Sequence, residues 1–249
     1  MSALIDNLTT KPYTKSMNKT TNQKTDITSY QKLIKDHAQQ FEIYYQNLIE
    51  YNQKINLTAI TQRDEVFTKH FLDSILSITE IPNSAKVIDI GAGAGFPSLA
   101  IKIVRPDIQL TMLDSLNKRI QFLNQLTQTL NVQTTNVHSR AEDYARLTRQ
   151  TFDIALARAV AKTNTLVEYL LPFVKVGGKV ILYKSANCLQ ELKEAQNAIK
   201  QLGGAVTKTL HFALPNEEGE RTIIVITKTS PTPAKFPRPA NQPKLKPIT

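Results

Sequence analysis

Three of the chain's eight glycines fall within five residues, in the segment VIDIGAGAGFP at positions 87–97. The run before them, KVIDI, is short, apolar and rich in β-branched residues, as a buried strand is. The run after them, PSLAIKIV, has the period of a helix. A strand that turns through glycines straight into a helix belongs to an open α/β sheet, and such sheets bind ligands at the carboxyl ends of their strands, against a helix N-terminus. Gly91 allows the sharp turn; Gly93 and Gly95 allow a ligand to approach the backbone closely. Pro97 suits the first helical position, and Phe96 before it is pushed away from helical angles. The spacing is G-x-G-x-G. It is not the G-x-G-x-x-G of dinucleotide sites, because Phe96 stands where the last glycine would be needed.

The rest of the chain agrees with that architecture. KVIDI, IQLTML, NVQTTNV, FDIALA, KVILY, AVTKTLHFAL and RTIIVIT are expected strands, with helical stretches PSLAIKIV and LNKRIQFLNQLTQTL between the early ones. In the latter, Leu116, Ile120, Leu123 and Leu126 form the expected buried stripe. Strands alternating with helices imply a mostly parallel seven-stranded sheet covered on both faces, a Rossmann-like α/β fold. The last two strands, joined by a short polar loop, are expected to form a hairpin at the far end of the sheet. Ahead of this lies a helical extension over 29–84. Leu33, His37, Phe41, Tyr44 and Leu48 share one face there, and a second helix over 63–79 turns Val66, Phe67, His70, Phe71, Ser74 and Ile75 inward. The expected organisation is a disordered basic tail over 1–28, the extension over 29–84, a ligand-binding domain over 85–229 and a Pro-rich tail over 230–249. That last segment holds six of the twelve prolines and is expected to form neither helix nor central strand.

Net charge is +10, unevenly spread. The first 28 residues carry Lys11, Lys15, Lys19 and Lys24 against Asp6 and Asp26; the last twenty carry Lys235, Arg238, Lys244 and Lys246 with no acid. Over half the excess therefore sits on two tails, which suits a polyanion such as nucleic acid, although basic tails also merely solubilise. One cysteine, Cys188, rules out an internal disulfide. No apolar run approaches the roughly 18 residues of a membrane span, and the N-terminus lacks the core of a secretory signal. The chain reads as cytoplasmic, with no membrane partner, and a monomer is expected.

Candidate site residues follow the strand ends. Asp114 closes the second strand, where a carboxylate accepts hydrogen bonds from ribose hydroxyls; as a helix cap it would serve equally in Asp-Ser-Leu-Asn. After the third strand, Ser139-x-x-Glu142 has the spacing of a capping box. Arg158 leaves the fourth strand at the ligand edge, where a buried charge demands a partner; the alternative is an ordinary surface arginine. His37 and His70 sit on apolar helical faces and read as core histidines. No metal site is assigned.

With these residues assembled, the chain resembles the RsmG family (glucose-inhibited division protein B), bacterial methyltransferases of 16S ribosomal RNA. The segments that carry the likeness are INLTAITQRDEVFTKHFLDSIL, VIDIGAGAGFPSLAIKIVRPDIQLTMLDSLNKRIQFLNQL, SRAEDYA, FDIALARAV and ERTIIVITK. The resemblance implies a class I methyltransferase fold, S-adenosylmethionine as cofactor, and N7 of a guanine in small-subunit rRNA as acceptor. It implies cofactor contacts at Gly91 and Phe96, at Asp114, Ser115 and Leu116, at Ala141 and Glu142, and at Arg158, which is also the candidate catalytic residue. Lys184 and Arg140 are candidates for the RNA; Ser185 stands where the family has glycine after the lysine. Exocyclic-amine enzymes usually carry Asp/Asn-Pro-Pro-Tyr/Phe after the fourth strand, where this chain has Ala-Arg-Ala-Val. A pyrimidine C5 enzyme needs a cysteine nucleophile, and Cys188 lies in a poor context for one. Two other readings remain open on the residues alone: a nucleotide-dependent oxidoreductase, and a non-catalytic RNA-binding assembly factor on the same scaffold.

Overall fold

Strand alternation sorts the core into two layers. In KVIDI, Val87 joins one buried cluster and Ile88 the other, and the same parity holds for Leu156 against Ala157 and Ile181 against Leu182. The computed structural model describes residues 26–158, 161–186, 188–215 and 219–249. The expected basic tail over 1–28 lies almost wholly outside them. Seven strands form one sheet: β1 (Lys86–Ile90), β2 (Gln109–Asp114), β3 (Thr135–His138), β4 (Phe152–Arg158), β5 (Val174–Ser185), β6 (Gly204–Ala213) and β7 (Glu220–Lys228). Their order is β3-β2-β1-β4-β5-β7-β6, with β7 antiparallel to both β5 and β6 and the other pairs parallel. This is the expected α/β sheet, and the closing antiparallel pair occupies its far edge.

One face of the sheet carries the N-terminal helices together with Ser98–Val104 and Asn117–Thr129; the other carries Ala141–Leu147, Thr163–Leu170, Leu189–Glu194 and Gln196–Gln201. Phe41, Tyr44, Leu48 and Phe71 are fully buried in the same cluster as Leu99 and Leu123. Burying each such side chain contributes about 1.5–3 kcal/mol, so the extension is held on the sheet by a shared core. Its details depart from a simple period. His37 breaks the first helix into Thr28–Asp36 and Ala38–Asn52, which resets the phase: Tyr30 and Ile34 are buried while Leu33 and His37 are only partly covered. The segment read as one helix over 63–79 is α-helical at Arg63–Glu65, π-helical over Val66–Leu72 and α-helical again at Asp73–Ile75. A π-turn carries an extra residue per turn and so widens the inward face, a feature often found at functional sites.

The Pro-rich C-terminus also differs from expectation. Gln242–Leu245 forms one helical turn, and the whole segment folds back on the second layer. Phe236 is buried there, and the Arg149 guanidinium donates to the carbonyls of Thr232, Pro233 and Phe236. Arg238 closes the arrangement on Glu168, a fully buried carboxylate, at 2.7 Å. Proline's lack of N–H donors explains why side chains rather than a ladder hold this stretch. Among the described residues no helix is long and apolar enough to cross a membrane.

Candidate active site

The strand order reverses between β1 and β4, and a cavity of about 750 Å³ opens at the carboxyl end of this switch point. That volume is within the range of small-molecule sites. Four parts of the chain wall it. The glycine turn supplies Gly91, Ala92, Gly93, Ala94 and Phe96, and the end of β2 with the helix after it supplies Asp114, Ser115 and Arg119. The edges of β4, β5 and β7 supply Arg158, Tyr183, Lys184, Ser185 and Arg221. Leu57, Thr58, Lys69, His70 and Asp73 come from the N-terminal extension.

The turn is fixed by its own backbone. Gly91 and Ala92 N–H donate to the Leu113 carbonyl at 2.8 and 3.1 Å, and Gly95 N–H donates to the Ala92 carbonyl at 2.7 Å. Asp114, almost fully buried, accepts from Gly93 N–H on Oδ2 and from Leu116 N–H on Oδ1, each at 2.9 Å, with Arg119 Nη1 at 3.3 Å. Three donors face about four lone-pair positions, so the carboxylate both stabilises the turn and keeps accepting capacity toward the cavity. At Gly93, with φ +58°, an added Cβ would meet nothing nearer than the Gly91 carbonyl at 3.8 Å, so the backbone there is open to a ligand. Gly95 differs from its sequence reading. With φ +94°, its Cβ position is 2.5 Å from the Tyr44 hydroxyl, so the close approach this glycine permits is by a protein side chain.

Arg158 is largely buried, with both terminal nitrogens engaged. Its Nη1 donates to Asp73 Oδ2 at 3.0 Å and to Ser74 Oγ at 3.3 Å, and its guanidinium lies 4.9 Å from the Phe96 ring centre. Nη2 donates to His70 Nδ1 at 3.3 Å. Because arginine only donates, Nδ1 is the acceptor and Nε2–H points to Thr58 Oγ1 at 2.8 Å. His70 is thus a neutral imidazole. Burial, reinforced by the Arg158 charge, holds its pKa down at about 3. Asp73 faces a second arginine, Arg221 Nε, at 3.2 Å from Oδ1. Burial pushes the Asp73 carboxyl up, and the two guanidiniums oppose that shift. Behind the turn, Asp89 is fully buried and accepts from Ser98 N–H at 3.4 Å; burial lifts its pKa to about 7.

The cavity therefore gathers Gly91, Gly93, Phe96, Asp114, Ser115, Arg158 and Lys184. Lys184 Nζ is tied to Glu191 at 2.7 Å and to the Ala161 carbonyl at 3.1 Å. Other residues singled out in the sequence lie outside the lining. Leu116 is 43% exposed, so it does not complete the buried stripe of its helix. Ala141 and Glu142 are buried, and the expected capping box is not made: Arg140 is the N-cap residue without a side-chain cap, and Ser139 Oγ donates to the Arg140 carbonyl. Glu142 accepts instead from Asn241 N–H at 3.3 Å, while half-exposed Arg140 donates to Asn241 Oδ1 at 2.7 Å. The C-terminal segment occupies both residues because its left-handed Asn241 turns that backbone N–H inward. Nothing in the local sequence pattern singles out Asp73, Arg119 or Arg221. Asp89 carried a signal of the kind that marked Arg158, a charge inside an apolar strand.

The model of the family GidB, rRNA small subunit methyltransferase G, matches residues 37–223. The chain belongs to this family. It is 47% identical over 214 residues to ribosomal RNA small subunit methyltransferase G of Staphylococcus saprophyticus, covering 84% of this chain and 90% of that protein. The protein of the same name from Streptococcus pneumoniae serotype 19F is 48% identical over 216 residues, covering 84% and 91%. Among solved structures, the ribosomal protein L11 methylase of Lactobacillus delbrueckii superposes with a TM-score of 0.51 at 14% identity, over 65% of this chain and 79% of that one. M. jannaschii TYW2, in complex with AdoMet, superposes with a TM-score of 0.52 at 11% identity, over 68% and 77%. The GidB family match spans most of the helical extension as well as the sheet through β7's first residues, so the wall bearing His70 and Asp73 lies within it.

Proposed function

We propose that this chain transfers a methyl group from S-adenosylmethionine to N7 of a guanine in the 16S rRNA of the small ribosomal subunit. The observation that carries the reading is the meeting of Asp114, the open Gly93 backbone and Arg158 in one cavity at the switch point, in a chain of this family. Asp114 and Gly93 hold the nucleoside end of the cofactor; Phe96 and Arg158 border the reacting end. Bound S-adenosylmethionine supplies a methyl group made electrophilic by its sulfonium. N7 already carries a lone pair in the base plane, so no proton leaves before attack, and catalysis rests on orientation. The side chains around Arg158 suit that chemistry: His70 is neutral with both ring nitrogens engaged, Asp73 is paired with two arginines, and Arg158 cannot accept a proton. Lys184 and Arg140 are assigned to the RNA side, Lys184 at the cavity wall and Arg140 beyond it.

Asp114→Ala is expected to weaken S-adenosylmethionine binding at least about tenfold. A hydrogen bond to a charged group contributes about 1.5–3 kcal/mol, and 1.4 kcal/mol is a decade. Calorimetry on the folded variant measures it, and an unchanged Kd would leave Asp114 with a purely structural part. The N7 assignment is tested on the product. Unmethylated small subunits are incubated with enzyme and cofactor, then treated with borohydride and aniline, which cleave RNA at N7-methylguanosine. One new cleavage is expected; methyl incorporation without it overturns the assignment.

A further inference from the structure

We infer that Tyr44, from the N-terminal helix Ala38–Asn52, is a positioning residue that holds the glycine turn in its cofactor-binding shape. The inference rests on the cofactor reading above. Tyr44 is fully buried, and its hydroxyl donates to the Ala94 carbonyl at 2.5 Å, fifty residues along the chain. Burial pushes its ionisation well above the ordinary phenol range, so the hydroxyl stays a donor. The same oxygen occupies the space a side chain at Gly95 would need. The ring stacks on Phe96, with centroids 5.2 Å apart and planes at 8°, and Phe96 also stacks on His70 at 4.5 Å and 18°. Ala94, Gly95 and Phe96, three consecutive residues of the turn, are thus each set by one side chain of the extension. Phe96 in turn carries the Arg158 contact. Asp114 secures Gly93 from the sheet side, so the turn is held between β2 and the extension.

A turn already locked needs no ordering when the cofactor arrives, and pre-organisation of this kind raises affinity without touching the ligand. Removing the hydroxyl frees the Ala94 carbonyl and lets the unliganded turn relax, so part of the binding energy must restore it.

Tyr44→Phe keeps the ring stack and deletes only the donor. Titration with S-adenosylmethionine is expected to show a Kd raised about three- to tenfold, the equivalent of one ordinary hydrogen bond. The kcat at saturating cofactor and the KM for small subunits should stay within twofold of wild type. Amide exchange should quicken at residues 91–96 and remain unchanged in β6 and β7. A Kd within twofold of wild type overturns the inference, as does a Kd change without faster exchange in the turn. Gly95→Ala gives the second reading. Its added methyl meets the hydroxyl in the wild-type background but not in Tyr44→Phe, so the two losses of affinity should be less than additive; strict additivity also overturns the inference. Wild-type binding of S-adenosylmethionine in the same titration tests the cofactor reading separately, and the ratio of variant to wild type tests Tyr44.

Discussion

Arg238→Ala is expected to lower the unfolding free energy by about 3 kcal/mol, near the lower end of the range for breaking a buried ion pair. Glu168 is fully buried on Thr163–Leu170 and takes four hydrogen bonds from Arg238, three of them from the guanidinium. The alanine variant leaves the carboxylate with the backbone donor alone, which is why the loss is placed near 3 rather than 5 kcal/mol. For a chain of this size that corresponds to a melting temperature lower by roughly 6–12 °C. Urea unfolding monitored by circular dichroism measures the difference, and a loss below 1 kcal/mol would show that the pair is dispensable. Adding Glu168→Gln to Arg238→Ala should recover part of the stability, because a neutral amide costs less to bury unpaired.

This pair changes what the C-terminal segment is. Its bases and prolines read as a free arm for a polyanion, yet Arg238 is spent on Glu168, leaving Lys235, Lys244 and Lys246 exposed. Truncating the segment would therefore confound RNA affinity with unfolding, whereas Lys→Gln changes at the three exposed positions separate them. Composition showed the charge. It did not show that an acid seventy residues away in a helix had a claim on one of those charges.

The sheet was legible because its central strands β1, β2, β4 and β7 are largely buried and read as short apolar runs, and because three glycines in five residues mark one particular turn. Asp114 and Arg158 were legible by position, each closing a strand at the ligand edge. The wall opposite them was not. Tyr44 and His70 both fall on apolar helical faces, where core packing is the ordinary reading; they are core residues that also border or brace the cavity, because that face meets the glycine turn. The spacing over 63–79 marks a helix but not the π-helical stretch Val66–Leu72 within it, whose wider turn brings Lys69 and His70, and Asp73 just after, to the same cavity. Arg221 looked like the polar start of a late strand. Only the antiparallel pairing of Ser185 with Arg221 carries it to the edge where the parallel strands end.

Arg158→Ala is expected to reduce methyl transfer at least about a hundredfold while the sheet stays folded. A guanidinium with most of its surface buried needs partners, and here Asp73 and Ser74 meet Nη1 and His70 meets Nη2 beside the Phe96 ring, which leaves donors of Nε and Nη2 for the reacting partners. That frame holds the planar fork at one orientation against the cavity. Charge-assisted bonds of this kind contribute about 1.5–3 kcal/mol each, so losing two that form with the reacting partners costs two decades or more. Arg158→Lys keeps the charge but loses the fork, and should recover only a small part of the activity. Arginine itself stays protonated and adds no titration of its own, but the alanine variant also loses the charge that helps hold His70 down and that opposes the rise of Asp73, so both groups should titrate higher than in wild type. Asp73 retains Arg221 at 3.2 Å in the alanine variant, which keeps the buried carboxylate paired and the fold intact. Circular dichroism confirms folding, single-turnover methylation of small subunits gives the rate, and activity within tenfold of wild type would remove Arg158 from the chemistry.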